Sequence, residues 1–184
     1  MLEIKHKTTG KKIIRVKHES LAGRAISGLE LIGANFAGMD LSACKFTSCN
    51  LSECDFSGAK MVRCKISNCV VKRADFSSAD LSEVDFSDNV MDVCMFVGCK
   101  ATMSKFRYSK MNGANFSSAD FSKADMFFAE LRASFRSTDL SHANLFGADM
   151  SRADFTMADL RNANMTDGTV TAANSSSISD GAAA

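Results

Sequence analysis

At 184 residues, 46% hydrophobic and 23% charged, the chain has material for one compact domain or one repeat array and too little for two ordinary enzyme domains. Its formal charge of +1 excludes a globally basic nucleic-acid binder, so no direct nucleic-acid binding is expected, and it equally excludes a chain acidic throughout. Fourteen Phe against one Tyr, with no Trp and no Pro, describe a dry phenylalanine-based core better than a ligand pocket.

Residues 1–20 come first. Leu2 to His6 and Ile13 to Lys17 flank Thr8, Thr9 and Gly10, the pattern of a β-hairpin with a glycine-containing turn. Its expected duty is to cap the first coil of the repeat region, whose unpaired edge would otherwise invite end-to-end growth. A separate binding hairpin is the alternative. The segment is Lys-rich without a signal-like apolar stretch, and no uninterrupted apolar run approaches the ~18 residues of a membrane span. The expectation is a cytoplasmic chain with no membrane partner.

From Leu21 the sequence repeats every five residues. Reading each fifth position gives Leu21, Ile26, Leu31, Phe36, Leu41, Phe46 and so on to Leu131, and only Ala101 breaks the large apolar series. Two residues before each centre stands a small residue such as Ala34, Cys44, Cys54, Ala74 or Ala114, and the residue between is usually Asp, Asn or Lys. A period of five fits neither the 3.6 of a helix nor a plain alternating strand. It fits three extended residues, with the small and large side chains inward, and then a two-residue corner.

Stretches such as Ala74-Asp75-Phe76-Ser77-Ser78, Ala79-Asp80-Leu81-Ser82-Glu83, Ala119-Asp120-Phe121-Ser122-Lys123 and Ala143-Asn144-Leu145-Phe146-Gly147 resemble the A(D/N)LXX motif of pentapeptide-repeat proteins. The resemblance implies an all-β fold, a right-handed quadrilateral β-helix of four units per coil, over residues 21–173. It also implies a 20-residue stacking period. Phe36, Phe56, Phe76, Phe96 and Phe116 obey that period on one face. Nearly eight coils at neighbouring-strand spacing would make a rod of roughly 37 Å.

Three places are irregular. Asn89, Ser104 and Ser109 take small-residue positions and Ala101 a centre, which reads as a locally underfilled, hydrated coil, with a ligand cavity as the alternative. At residues 132–134 one residue is missing from the period, and the slip must fall at a corner, since inside a strand it would turn every later side chain over. Beyond it Phe135 and Phe155 continue the phenylalanine column. The tail at 174–184, with little to bury, is expected to be disordered.

Seven Cys invite a metal or disulfide reading, but each occupies the small inward position, where a thiol acts as a small hydrophobe. Successive cysteines five apart would lie on different faces, so no metal, cofactor or catalytic residue is expected and the chain reads as a non-enzyme.

Function is therefore sought on the surface. Arg107, Phe127 and Phe146 should share one outward column, with Tyr108 and Phe128 in the next, giving an exposed aromatic cluster with an arginine at its edge, the composition of an interface hot spot. Scattered exposed aromatics are the bland alternative. Charges fall in belts, with the acidic Asp75, Asp80, Glu83, Asp85, Asp88 and Asp92 lying between basic stretches. The reading is a non-catalytic scaffold for a protein partner or a second copy. The alternative, implied by one branch of the resembled family, is a DNA-mimicking protein that binds DNA gyrase or topoisomerase and confers quinolone tolerance. Mimicry needs a continuous anionic face, and basic belts interrupt this one.

Overall fold

A computed structural model describes residues 1–169; the end of the repeat region beyond them and the tail at 174–184 lie outside the described residues. Strand, isolated bridge and turn alternate throughout, and among the described residues there is no helix. Parallel bridges join each unit to the one 20 residues on, as in Asn35 to Asp55, Asp55 to Asp75 and Asp75 to Met95, so one coil of this β-helix contains four five-residue units. Among the described residues no helix is long and apolar enough to cross a membrane.

The five-residue unit explains the coil. In the unit centred on Phe56, Cys54 and Phe56 are buried while Asp55 between them faces outward. The chain then turns through Ser57 and Gly58, and the Ala59 N–H donates to the Phe56 carbonyl at 3.0 Å. The second corner residue has a positive φ in unit after unit, Gly58 at 62° and non-glycine residues such as Ser78 at 58° and Glu83 at 57°. The outward Asp or Asn does more than face water. Asp55 accepts the Ser57 N–H at 2.9 Å, and Asp75, Asp80 and Asp120 do the same for Ser77, Ser82 and Ser122. A short acceptor side chain two residues before a turning N–H is an Asx-turn, which fixes the corner locally.

Between coils the backbone forms a continuous ladder. Phe56 donates to the Asp75 carbonyl at 2.7 Å, and Asp75 donates back to the Cys54 carbonyl at 2.9 Å. Inside, the phenylalanines of one face form a stack: Phe36, Phe56, Phe76, Phe96, Phe116, Phe135 and Phe155 lie with successive ring centroids 4.6–5.1 Å apart and planes within 16°.

The stack crosses the slip without a break. Bridges run 20 residues apart up to Glu130, then 19 apart from Asn115 to Ser134 through Glu130 to Asp149, and return to 20 at Ser134 to Asp154. The shortened corner holds Arg132 alone between buried Leu131 and Ala133, and no residue from 132 to 134 has a positive φ. The position removed is the left-handed one, so the inward and outward pattern survives.

One face differs from the others. Strands β3 (Ala25–Ser27), β4 (Lys45–Thr47) and β5 (Lys65–Ser67) make a parallel three-stranded sheet in which Ile26, Phe46 and Ile66 are in register. At the corners after these strands, the small residue does not turn its N–H back on its own centre. Cys49 donates to the Cys69 sulfur at 3.3 Å, and Cys69 donates to Asn89 Oδ1 at 2.9 Å. One coil after Asn89 the ordinary closed corner resumes, with the Ser109 N–H on the Phe106 carbonyl at 3.3 Å.

Asn89 is the joint between the two corner geometries, and this corrects the sequence reading of a hydrated gap. It is 1% exposed, and its Nδ2 lies 2.7 Å from the Ile66 carbonyl, 2.9 Å from that of Phe86 and 3.0 Å from that of Ser87. Ser109 donates to the Phe86 carbonyl at 3.0 Å and Ser104 to that of Ala101, so every polar side chain of the supposed gap is bonded to the backbone. Ala101 is fully buried as well.

At the N-terminus β1 (Leu2–Lys5) pairs antiparallel with β2 (Lys12–Val16), with Leu2 opposite Val16 and Ile4 opposite Ile14. The hairpin is joined to the coils: Asn35 donates to the Lys5 carbonyl and Lys7 to that of Gly33, both at 2.8 Å. Gly33 lets the hairpin approach closely, since a Cβ there would sit 2.6 Å from the His6 ring.

Candidate interaction surface

The cysteines can be set aside first. Cys44, Cys54 and Cys94 donate to the carbonyls of Leu21, Leu31 and Val71 at 2.7–3.0 Å, and all seven are free and buried. Burial pushes the Cys54 and Cys94 thiols up to about 12, and raises Cys64 and Cys99 as well. Since the thiolate is the reactive form, the native protein should resist alkylation by iodoacetamide at pH 8, with labelling appearing only on unfolding. Rapid stoichiometric labelling of the folded chain, read by intact mass, would contradict this. Among the described residues no group of three His, Cys, Asp or Glu side chains is arranged to hold a metal.

Three of the six residues of the acidic belt are paired with cations one coil away. Arg63 pairs with Glu83 at 2.9 Å, Lys65 with Asp85 at 3.5 Å and Lys72 with Asp92 at 3.9 Å, each across one coil. The hydrogen bond from Arg63 holds Glu83 below its ordinary value. Burial works to raise Asp85, but the Ser87 hydrogen bonds and Lys65 together outweigh it and the net direction is down. Asp75 and Asp80 point their carboxylates into their own corners, on Ser77 and Ser82. Asp88 comes after Ser87 in the corner one coil before Tyr108, in the left-handed position. The six residues share a coil but do not present a row of free carboxylates.

The aromatic residues do come together. Arg107 and Tyr108 form the corner after buried Phe106; Phe127 and Phe128 form the corner one coil on, after Met126; Phe146 and Gly147 come after Leu145 in the next. The Phe127 ring stacks on Phe146 at 5.4 Å and meets Tyr108 edge-on at 5.6 Å, while Phe128 lies 6.2 Å from Tyr108 and 4.7 Å from Phe127. The Arg107 guanidinium sits 4.8 Å over the Phe127 ring and bonds Asp125 at 3.3 Å, and Asn144 bonds the other oxygen of Asp125 at 3.0 Å. Gly147 makes room for this packing: a Cβ there would lie 2.7 Å from the Phe128 ring. Tyr108 remains 51% and Phe128 49% exposed.

Sequence reasoning named these five residues and their columns, but not the supports beneath them. Asp125 and Asn144 look like any outward residue of the repeat, and Gly147 like any corner glycine. Their roles come from the side chain one coil away, which a single unit does not reveal.

A chain that coils every 20 residues around stacked inward side chains, with short corners, is a β-solenoid of five-residue units. It belongs to the pentapeptide-repeat family: a family model of pentapeptide repeats matches in 8 copies across residues 27–63, 54–91, 104–133 and 131–167. Among solved structures, HetL, a pentapeptide-repeat protein involved in heterocyst differentiation regulation from the cyanobacterium Nostoc, is 20% identical over 82% of this chain and 89% of its own, with a TM-score of 0.36. Full-length QnrB1, a plasmid-mediated fluoroquinolone resistance protein, is 20% identical over 86% of this chain and 92% of its own, with a TM-score of 0.35. A pentapeptide-repeat protein of the Arabidopsis thaliana thylakoid lumen is 31% identical over 54% of this chain and 66% of its own, with a TM-score of 0.30. No curated protein matches the chain.

Proposed function

We propose that this chain is a non-catalytic interaction scaffold that binds a protein partner, or a second copy of itself, through the corner formed by Arg107, Tyr108, Phe127, Phe128 and Phe146. The observation that carries the reading is the mutual packing of four aromatic rings at outward corner positions, where the repeat elsewhere mostly uses Ser, Thr, Gly or charged residues. Rings there add nothing to the interior, and large aromatic side chains beside an arginine are the groups that dominate binding energy when covered. In this reading the β-helix is right-handed and quadrilateral, and the hairpin of residues 1–20 caps its first coil, supported by the backbone bonds from Asn35 to Lys5 and from Lys7 to Gly33. The free packing cysteines suit a reducing compartment, so the reading keeps the protein in the cytoplasm.

Gyrase binding by DNA mimicry would require free carboxylates in series along the rod, and the pairs of Glu83, Asp85 and Asp92 with Arg63, Lys65 and Lys72 work against it. The test compares two variants in affinity capture from the native host and in thermal melts. Phe127→Ser with Phe128→Ser should weaken capture about thirtyfold or more, the loss expected on truncating a hot spot, while the chain stays folded with a stability loss of about 1–3 kcal/mol, since Phe128 is exposed and Phe127 half-buried outside the core. Asp75→Asn with Asp80→Asn and Asp85→Asn should leave capture intact. The reverse result, with gyrase released by the carboxylate variant, would replace the scaffold with the mimic.

A further inference from the structure

The charges on either side of the aromatic corner carry more than its apolar character does. The corner lies between two faces of the rod. On one, Lys105 stands directly below Asp125; on the other, Lys110 stands directly below Glu130. Both faces therefore show a cation on the coil of Tyr108 and an anion on the coil of Phe128. The ion pairs within the chain are solvent-exposed: Lys110 reaches Glu130 at 3.2 Å with both side chains at least a third exposed, and Arg107 reaches Asp125 at 3.3 Å. The Asn112 and Lys110 hydrogen bonds hold Glu130 below its ordinary value, so it is an anion at neutral pH.

Resting on the scaffold reading, we infer that the occupant of this corner is a second copy of the chain, lying antiparallel about a two-fold axis that passes between the coil of Tyr108 and the coil of Phe128. A two-fold contact sets one surface against itself, so residue i meets j and j meets i. With the axis so placed, Lys105 faces Asp125 of the second copy and Lys110 faces its Glu130, and the reciprocal pairs form at the same time. Arg107 comes over the second Phe127, and Tyr108 against the second Phe128. The flanking rungs agree: Asp85 faces Asn144, Asp88 faces Gly147, and the small Ser87 faces Phe146. No like charges meet across these four rungs. A parallel pair of rods would instead set Lys105 against Lys110 and Asp125 against Glu130. Like-charge contacts of that kind suppress wrong arrangements, and opposite charges fix the register. The antiparallel register is thus selected by two independent faces at once.

Sedimentation equilibrium on the full chain, with thermal melts as a control for folding, tests this. The wild type is expected to be dimeric, and Lys110→Glu should raise the dimer dissociation constant about tenfold or more, because it sets carboxylates against each other across the axis. Lys110→Glu combined with Glu130→Lys restores the cross-axis pairs and should return the constant to within about threefold of the wild type. A wild-type chain that stays monomeric to about 100 μM, far above a specific micromolar contact, overturns the second copy. Tightening by Lys110→Glu overturns the antiparallel arrangement, since that change repairs a parallel one. If the chain is monomeric yet the Phe127 and Phe128 variant still loses a captured partner, the scaffold reading stands alone. A dimer indifferent to the phenylalanine pair would remove both.

Discussion

Phe76→Ala should destabilise the protein by about 3–5 kcal/mol, the range for truncating a fully buried phenylalanine in a close-packed core. Phe76 is wholly buried, with Phe56 stacked below it at 4.9 Å and 2°, Phe96 above it at 5.0 Å and 8°, and Phe86 edge-on at 5.3 Å. All three neighbouring rings would then face a void. Relaxation is restricted, because the backbone ladder holds the coils at fixed spacing: Phe76 donates to the Met95 carbonyl at 2.7 Å, and Met95 donates to that of Ala74 at 3.0 Å. Neighbouring rings cannot slide inward without breaking those bonds. In a solenoid each coil leans only on its neighbours, so a defect at mid-column uncouples the two halves as well as weakening one layer. Chemical denaturation monitored by circular dichroism should show the lower midpoint and a broader transition. A midpoint unchanged within error would mean the stacked interior does not govern stability.

That column was legible in the sequence because a solenoid repeats its environment at a fixed interval. Phe36 through Phe116 declare it by spacing alone, and the structure adds the ring planes and carries the stack through the slip to Phe135 and Phe155. The aromatic corner was legible for the same reason: once the period is known, Arg107, Phe127 and Phe146 must align. Less could be read where a residue's task lies outside its own three extended positions. Asp55 and Asp120 read as solvent-facing residues, yet each ties down the N–H of the corner after it, which is why the repeat asks for Asp or Asn rather than any polar group. The open corners after Ile26, Phe46 and Ile66 have ordinary five-residue sequences, and nothing in Ser27, Thr47 or Ser67 marks them. Charge belts were visible, but that Arg63 would meet Glu83, or Lys65 meet Asp85, required the coil register as well as the order of residues.

Asn89 is the sharpest such case, and its replacement should cost about as much as Phe76→Ala. By size it looks like a poor alanine, which suggests a gap. In the structure its amide takes the part that backbone plays elsewhere: Oδ1 accepts the Cys69 N–H, and Nδ2 donates among the carbonyls of Ile66, Phe86 and Ser87. Asn89→Ala removes acceptor and donor together and leaves the Cys69 N–H and the Ile66 carbonyl buried without those partners. At about 1–3 kcal/mol for each of the two stranded buried groups, the loss should be roughly 2–6 kcal/mol. Asn89→Asp separates the two halves of the role. The acceptor for Cys69 is kept, but an ionised carboxylate would face carbonyl oxygens where an amide had donated, so at neutral pH this variant should be no more stable than Asn89→Ala. Burial and those oxygens favour the protonated acid, raising its folded pKa above the unfolded one. That fixes the sign of the pH dependence: the variant's deficit should shrink as pH falls through the raised value, because the protonated acid can donate again. Wild type and Asn89→Ala should show no such recovery. Denaturation midpoints for the three proteins at pH 7.5 and pH 5 decide it. An Asn89→Asp chain as stable as wild type at pH 7.5 would mean that the donor half of Asn89 is idle and that the joint between the two corner geometries is held by packing and the acceptor for Cys69.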